Sequence, residues 1–358
     1  MERAFNFSAG PAVLPEPALT ELQNNLFSFA GTGIGVLELS HRSKEFEGII
    51  AETEAAFRRL LQIGDDYHVL FTTGGATAQF AMVPLNLVPQ GTQANYLVGG
   101  IWAEAAYEEA KRLTNAHIAG SSKEAGFRTL PTLESLSEKP AYLHFTSNNT
   151  VIGSQYATEP AEPGVVLVCD ASSDLLHKKI DVSKYGLIYA GAQKNLGTAG
   201  VTVVIVKKDL LAQAAPQLPL TLDYQTYAKN RSLYNTPPTG PIYIVGLVLK
   251  WIESLGGLQE MERMNREKAA VLYQELDRNP FFTPYVDVGC RSLMNVTFRL
   301  PTPELEDAFV KEAAKHRLLG LKGHRLVGGI RASIYNAFPK AGVEALVSFM
   351  SEFARRNG

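Results

Sequence analysis

From about residue 65 to residue 210 the chain alternates short, unbroken apolar runs with stretches of helical character. No other feature narrows the possible folds as far. The runs lie at 69–73, 94–98, 141–146, 165–170, 187–190 and 201–206. Strands that are apolar on both faces belong to a sheet covered on both faces. Alternation with helices makes that sheet mostly parallel, in an α/β fold. In such a sheet the residues that follow each parallel strand gather at one edge, and ligands of open α/β sheets bind at that edge. Here the edge collects Gly74–Gly75, Trp102, Thr150, Asp170 and Lys194.

The 358 residues leave room for two domains or one large one. A formal net charge of -2 with no long basic run argues against a nucleic-acid or membrane-surface partner. No charged-then-apolar leader and no bilayer-length apolar run is evident, so cytoplasmic residence is expected. Cys169 and Cys290 make neither a disulfide framework nor a metal-ligand spacing, and no metal is expected.

Lys194 lies among Ala190, Gly191, Ala192, Gly197, Ala199 and Gly200. Small residues let other atoms approach the backbone, and a lysine in such a setting loses hydration. Its pKa falls, and the amine becomes a nucleophile able to form a Schiff base. A surface lysine in a turn is the plainer alternative, and the convergence at the sheet edge ranks it lower. Each neighbour carries its own alternative. Gly74-Gly75-Ala76-Thr77 is a phosphate-binding turn or an ordinary tight turn, and it matches neither the Walker nor the dinucleotide pattern. Trp102 is core or a flat plate for an aromatic ligand. Ser147-Asn148-Asn149-Thr150 is a solvated loop or a hydrogen-bonding rim, and Asp170 is a ligand carboxylate or a helix N-cap. His41-Arg42 is a helix entry or an anion well. Arg331, inside an apolar strand, faces an anion.

Outside the sheet, helices are expected at 18–29, 44–61, 78–87 and 103–113. The segment 216–241 is expected to be irregular because it carries Pro237–Pro238. A long helical region at 242–276 breaks near Gly256–Gly257. A smaller α+β unit follows, with strands at 295–299 and 330–333 and helices at 304–315 and 340–357.

Asn6-Phe7-Ser8-Ala9-Gly10-Pro11, Ser40-His41-Arg42, the run 189–195, Asn235-Thr236-Pro237-Pro238-Thr239 and Arg331-Ala332-Ser333-Ile334-Tyr335-Asn336 together resemble the phosphoserine aminotransferase family of fold-type I, class V pyridoxal phosphate enzymes. The resemblance runs from near residue 5 to about 350. It implies a large domain at 16–255 with a mostly parallel seven-stranded sheet flanked by helices. A smaller α+β domain would comprise 1–15 and 256–358. It implies pyridoxal 5'-phosphate, amino transfer between glutamate and 3-phosphohydroxypyruvate, and a homodimer with shared sites. 4-Phosphohydroxythreonine is a further substrate by the same analogy.

The resemblance also implies residue roles. Lys194 holds the cofactor and shuttles a proton. Asp170 pairs with the ring nitrogen, Trp102 stacks on the ring, and Thr150 bonds its hydroxyl. Ala76, Thr77 and Gln193 hold the cofactor phosphate, joined by Asn235 and Thr236 from the second subunit. Arg331 binds the α-carboxylate. His41, Arg42, His324 and Arg325 hold the distal anion, and Ser8 lines the substrate site. Some members carry arginine where this chain has Thr77, which leaves the distal pocket one positive charge poorer. Two competing readings stay within class V, an alanine–glyoxylate aminotransferase and a cysteine desulfurase. The desulfurase needs a cysteine on a mobile loop, which neither Cys169 nor Cys290 supplies. A third reading, a non-catalytic anion binder, has no use for Lys194 with Asp170.

Overall fold

The apolar runs form the strands of one sheet, and their alternation in chain order gives that sheet its direction. The computed structural model describes residues 3–213, 217–325 and 327–358. Its first half contains β1 (Phe5–Asn6), α1 (Glu16–Asn24), α2 (Lys44–Leu61), β2 (Tyr67–Thr72), α3 (Gly75–Leu87), β3 (Gln93–Val98), α4 (Ile101–Leu113), β4 (Ala116–Ser121), β5 (Pro140–Thr146), β6 (Leu167–Asp170), β7 (Leu187–Gly191) and β8 (Thr202–Lys207). There follow α5 (Lys208–Gln213), α6 (Tyr224–Lys229), α7 (Thr239–Ser254), α8 (Leu258–Arg278), β9 (Thr283–Pro284), β10 (Asn295–Arg299), α9 (Pro303–Lys315), β11 (Leu318–Leu319), β12 (Ile330–Ser333) and α10 (Lys340–Asn357).

The main sheet has seven strands in the order β2-β8-β7-β6-β5-β3-β4. Its pairings are parallel except for those of β8 with β2 and β7. This is the mostly parallel seven-stranded α/β sheet expected from the sequence. From β3 the chain steps outward to the edge strand β4, then returns to the other side of β3 as β5 and continues through β6 to β7. The strand order therefore reverses between β3 and β5, and a crevice opens there at the carboxyl ends of the strands.

Alternate residues of the strands feed two cores. Phe71, Phe145, Cys169, Ile188 and Ile205 pack with α2 and α7 on one face. Leu70, Tyr96, Val168, Tyr189 and Val204 pack with α3 and α4 on the other. A third core gathers α8, α9, α10, β10 and β12 around Phe282, Phe298, Phe309 and Phe353. Its edge-on ring pairs each add about 0.5–1.5 kcal/mol beyond burial. Phe7 belongs to this core, and β1 pairs in parallel with β11, so the amino-terminal strand is held by the carboxyl-terminal part of the chain. β12, β10 and β9 form a three-stranded antiparallel sheet. Among the described residues no single helix is long and apolar enough to cross a membrane.

Several boundaries differ from expectation. The first helix runs Glu16–Asn24 and does not reach residue 29. α3 begins at Gly75, three residues before the expected start, because Gly74 and Gly75 adopt positive φ and turn the chain directly into the helix. The stretch 216–241 is not wholly irregular: α6 lies within it, and α7 starts at Thr239 immediately after the two prolines. Pro216 itself lies outside the described residues. No helix follows Asp170, so it is not a helix N-cap; its carboxylate accepts from Ser172 N at 3.0 Å in a tight turn.

Lys268 of α8 is buried, and its Nζ donates to Tyr335 O at 2.6 Å and Asn336 O at 3.2 Å. Burial lowers this amine to about 7. The unfolded chain keeps the proton up to roughly pH 10.4, whereas the folded chain releases it near neutrality, so stability gains with rising pH across that window. Lys268→Met removes the effect. The wild-type minus variant difference in unfolding free energy, measured in urea, is expected to grow from about pH 7 to pH 10 with a slope approaching ~1.4 kcal/mol per pH unit. A difference that stays level contradicts a neutral buried amine.

Candidate active site

The crevice at the strand ends is built by glycines. Gly74 (φ +87) and Gly75 (φ +65) lead from β2 into α3, whose start has no side-chain cap. The first N–H groups of α3, around Ala76 and Thr77, are thus left to bind an anion. Opposite them Gly191 ends β7. A Cβ there would stand 2.9 Å from Gln193 Oε1 and 3.5 Å from Ala76 N, so a side chain at this position would displace the Gln193 amide. At the end of β3, a Cβ on Gly100 would stand 2.0 Å from Asn149 Oδ1. Glycine there lets the corner carrying Trp102 press against the loop after β5. Trp102 is half-buried on the first turn of α4 and has no ring partner among the described residues.

Thr150 holds the centre. Its Oγ1 accepts from Lys194 Nζ at 2.6 Å, and its carbonyl accepts from Arg331 Nη1 at 3.2 Å. The two cations from distant parts of the chain therefore meet on one residue. Burial lowers the Lys194 amine to about 8; the Asp170 charge opposes the shift and Arg331 reinforces it. Asp170 is 3% exposed at the end of β6. Burial raises its carboxyl, while the bond from Ser172 and the charge of Lys194 pull it down. Burial also lowers Arg331, whose Nε is buried without a partner. A guanidinium with an unused, desolvated donor beside a nucleophilic amine is poised for a carboxylate.

The remaining candidates occupy separate segments. His324 is half-buried; burial lowers it, and the charges of Arg331 and Arg325 lower it further, which sets it near Arg331. Arg325 is exposed. Ser8 lies against Gly320, where a Cβ would come within 2.5 Å of its Oγ. His41 is half-buried with Nε2 unpartnered, and Arg42 is exposed. Asn235 and Thr236 are exposed, and Asn235 Nδ2 reaches only the Thr236 carbonyl, at 3.5 Å. Among the described residues, no hydrogen bond or ion pair joins His41, Arg42, Asn235 or Thr236 to the cluster at Thr150. The structure thus brings together Thr150, Asp170, Lys194 and Arg331, with His324 within electrostatic reach of Arg331, and leaves Arg42, Asn235 and Thr236 at the surface and His41 half-buried apart from the cluster.

One contributor, Ser172, was not singled out from sequence. Ser172 donates its N–H to Asp170, and its Oγ accepts from Gly191 N at 3.1 Å, locking the end of β7 to the end of β6. The Asp-x-Ser spacing signals such a turn. Asn149 donates to Ser154 Oγ at 3.1 Å while its Oδ1 is buried and unpartnered at the rim. Residues 148–150 are all buried, so this stretch is the rim and not a solvated loop.

These residues fit pyridoxal phosphate. The amine, the buried carboxylate, the open glycine-lined helix start and the unpaired plate of Trp102 match its aldehyde, ring nitrogen, phosphate and ring respectively. The family model for Aminotransferase class-V matches residues 4–346. Phosphoserine aminotransferase of Desulfosudis oleivorans is 53% identical over 100% of this chain and 99% of its own. That of Geobacillus kaustophilus is 50% identical over 99% of both chains. The solved phosphoserine aminotransferase of Bacillus circulans subsp. alkalophilus superposes with a TM-score of 0.98 at 48% identity, covering 100% of each chain.

In cofactor-free protein, lysine-by-lysine acylation followed by mass spectrometry across pH is expected to give Lys194 a midpoint near 8, as its burial dictates. Asp170→Asn removes the charge that supports the ammonium form and moves the midpoint down. Arg331→Met removes an opposing charge and moves it up. A Lys194 midpoint in the ordinary range near ~10.4 contradicts the dry site.

Proposed function

The chain belongs to the class-V aminotransferases and is a pyridoxal phosphate-dependent transaminase; on that premise we propose that it moves an amino group reversibly between L-glutamate and 3-phosphohydroxypyruvate. The products are 2-oxoglutarate and O-phospho-L-serine, the reaction of phosphoserine aminotransferases in serine biosynthesis. The observation that carries the site assignment is the meeting of Lys194 and Arg331 on Thr150.

The bound cofactor supplies an electron-withdrawing ring that accommodates the charge left at the substrate α-carbon. The residues do the rest. Lys194 would hold the group through its amine, and once free that amine would take the substrate α-proton and return it. An amine lowered to about 8 serves as this base near neutral pH. Asp170 keeps a proton on the ring nitrogen, Thr150 bonds the ring hydroxyl, and Trp102 covers one face. Ala76, Thr77 and Gln193 hold the phosphate. Arg331 fixes the α-carboxylate, so every amino-acid substrate presents its α-carbon to Lys194 in one orientation. Ser8, His41, Arg42, His324 and Arg325 receive the distal group, which is a carboxylate in one half-reaction and a phosphate in the other. Separate donors suit two anions of different shape better than one rigid fork.

The active unit is proposed to be a homodimer in the cytoplasm, with Asn235 and Thr236 reaching the cofactor phosphate of the second subunit. Their exposure supports this. So does the apolar surface of Leu26, Phe27, Ile34 and Leu37 on the segment leading to His41, where Phe27 is 89% exposed. The proposed division is a large domain at 16–255 and a small domain at 1–15 with 256–358. The pairing of β1 with β11 and the place of Phe7 in the third core support it. Serving 4-phosphohydroxythreonine in pyridoxine biosynthesis extends the same pocket to a longer phospho-substrate.

Single-turnover conversion of the cofactor by phosphoserine tests the assignment. Arg331→Ala is expected to reduce the phosphoserine and glutamate half-reactions alike. Arg42→Ala and Arg325→Ala are expected to reduce both relative to alanine, and phosphoserine most, by roughly ten- to a hundredfold in kcat/KM. Equal losses for all three amino acids contradict a distal-anion role. Alanine as the best substrate of the unaltered protein contradicts the phosphoserine assignment.

A further inference from the structure

Lys194 and Arg331 lie 137 residues apart in the chain, yet their proposed work requires a fixed mutual orientation. The amine must meet the α-proton of a substrate whose carboxylate the guanidinium pins. Thr150 provides one point of attachment between them. One point leaves a rotation free; a second removes it. Asn195, next to Lys194, and Asn336, five residues beyond Arg331, supply the second. Asn336 N donates to Asn195 Oδ1 at 3.0 Å.

Every polar group of Asn336 is engaged. Its Nδ2 donates to Leu176 O at 3.0 Å, in the turn that follows Asp170. Its Oδ1 accepts from Asn265 Nδ2 at 2.8 Å, and its carbonyl accepts from Lys268 Nζ at 3.2 Å. Asn195 Nδ2 in turn reaches Leu175 O at 3.4 Å. The adjoining Tyr335 OH donates to Ala9 O at 2.7 Å, beside Ser8. Asn195, Asn265 and Asn336 are all buried, Asn336 at 2% exposure. A buried polar side chain with all its groups satisfied holds one geometry, because any shift strands a desolvated donor or acceptor.

We infer that Asn195 and Asn336 are positioning residues of the transamination, forming a clamp that fixes the Lys194 amine relative to the Arg331 guanidinium. The inference rests on the roles proposed above for those two cations. It assigns neither asparagine a contact with substrate or cofactor. Loosening the clamp leaves the carboxylate site intact and spoils the alignment for proton transfer. Misplacement by about an ångström is enough for a loss near a hundredfold.

The test uses the cofactor-loaded protein and Asn195→Ala. The phosphoserine half-reaction is expected to slow by about ten- to a hundredfold. The dissociation constant of succinate, an unreactive dicarboxylate, should stay within about twofold. Deuterium at the substrate α-carbon should slow the variant by a larger factor than the parent, because proton transfer has become limiting. Asn195→Ala combined with Asn336→Ala should be within about threefold of Asn195→Ala alone, since both act through one turn. A lowered melting temperature with an unchanged rate and isotope effect overturns the clamp, as do losses that multiply in the double variant. If Asn195→Ala does not fold, Asn336→Ala, which keeps the backbone donor, is expected to show the raised isotope effect at smaller amplitude; its absence overturns the clamp. A parent protein that fails to transaminate phosphoserine overturns the underlying reading and the clamp with it. An active parent with an unmoved variant overturns the clamp alone.

Discussion

Lys194 Nζ donates to Thr150 Oγ1 at 2.6 Å in a setting dry enough to lower the amine to about 8. Asp170 pulls the other way, and burial outweighs it. The Asp170 carboxyl, itself raised by burial, is restrained by Ser172 and by the lysine charge. Arg331 adds a second cation whose Nε finds no partner. A second buried carboxylate, Asp174, acts on the same lysine alongside Asp170, so the charges nearly balance, and the group left unsatisfied is the Arg331 Nε, a desolvated donor open to an anion.

The reversal of strand order between β3 and β5 makes this crevice possible. It opens the carboxyl ends of β3 and β5, which Trp102 and Thr150 follow, with Asp170 at the end of the neighbouring β6. Glycine leaves room where these corners meet, most strictly at Gly100. Gly100 lies where any side chain would collide with Asn149, and Gly191 lies where one would press on Gln193. Gly74–Gly75, Trp102, Thr150, Asp170 and Lys194 fall in step with the strands, because each closes or follows one strand of one sheet.

That regularity explains which parts were legible in advance. Unbroken apolar runs marked β2, β3, β5, β6, β7 and β8, and the order of the runs placed their ends on one edge. Boundaries failed where a single turn residue overrode the periodic pattern, as at Gly74–Gly75, or where a carboxylate satisfied a turn and not a helix, as at Asp170. The paired strands β1 and β11, of two residues each, carry no periodicity to read, and the edge strand β4 is too polar at His117 and Ser121 to stand out. Asn195 and Asn336 fall inside the motifs at 189–195 and 331–336, but the sequence alone assigns them no role. Their contact, across a separation of 141 residues, has no signature in either segment alone.

Asparagine at this junction also answers why the contact is polar at all. Packing a leucine against a leucine would bury more apolar surface, about 1.5–3 kcal/mol for each side chain. A net hydrogen bond contributes only about 0.5–1.5 kcal/mol. Apolar contacts, however, tolerate sliding, because many neighbouring arrangements cost nearly the same. Asn336 meets Asn195, Leu176, Asn265 and Lys268 through four separate polar atoms, and a shift that improves one bond breaks another. The arrangement gives up stability for a single register. Under the roles proposed for Lys194 and Arg331, the register that matters is the one between the amine and the guanidinium.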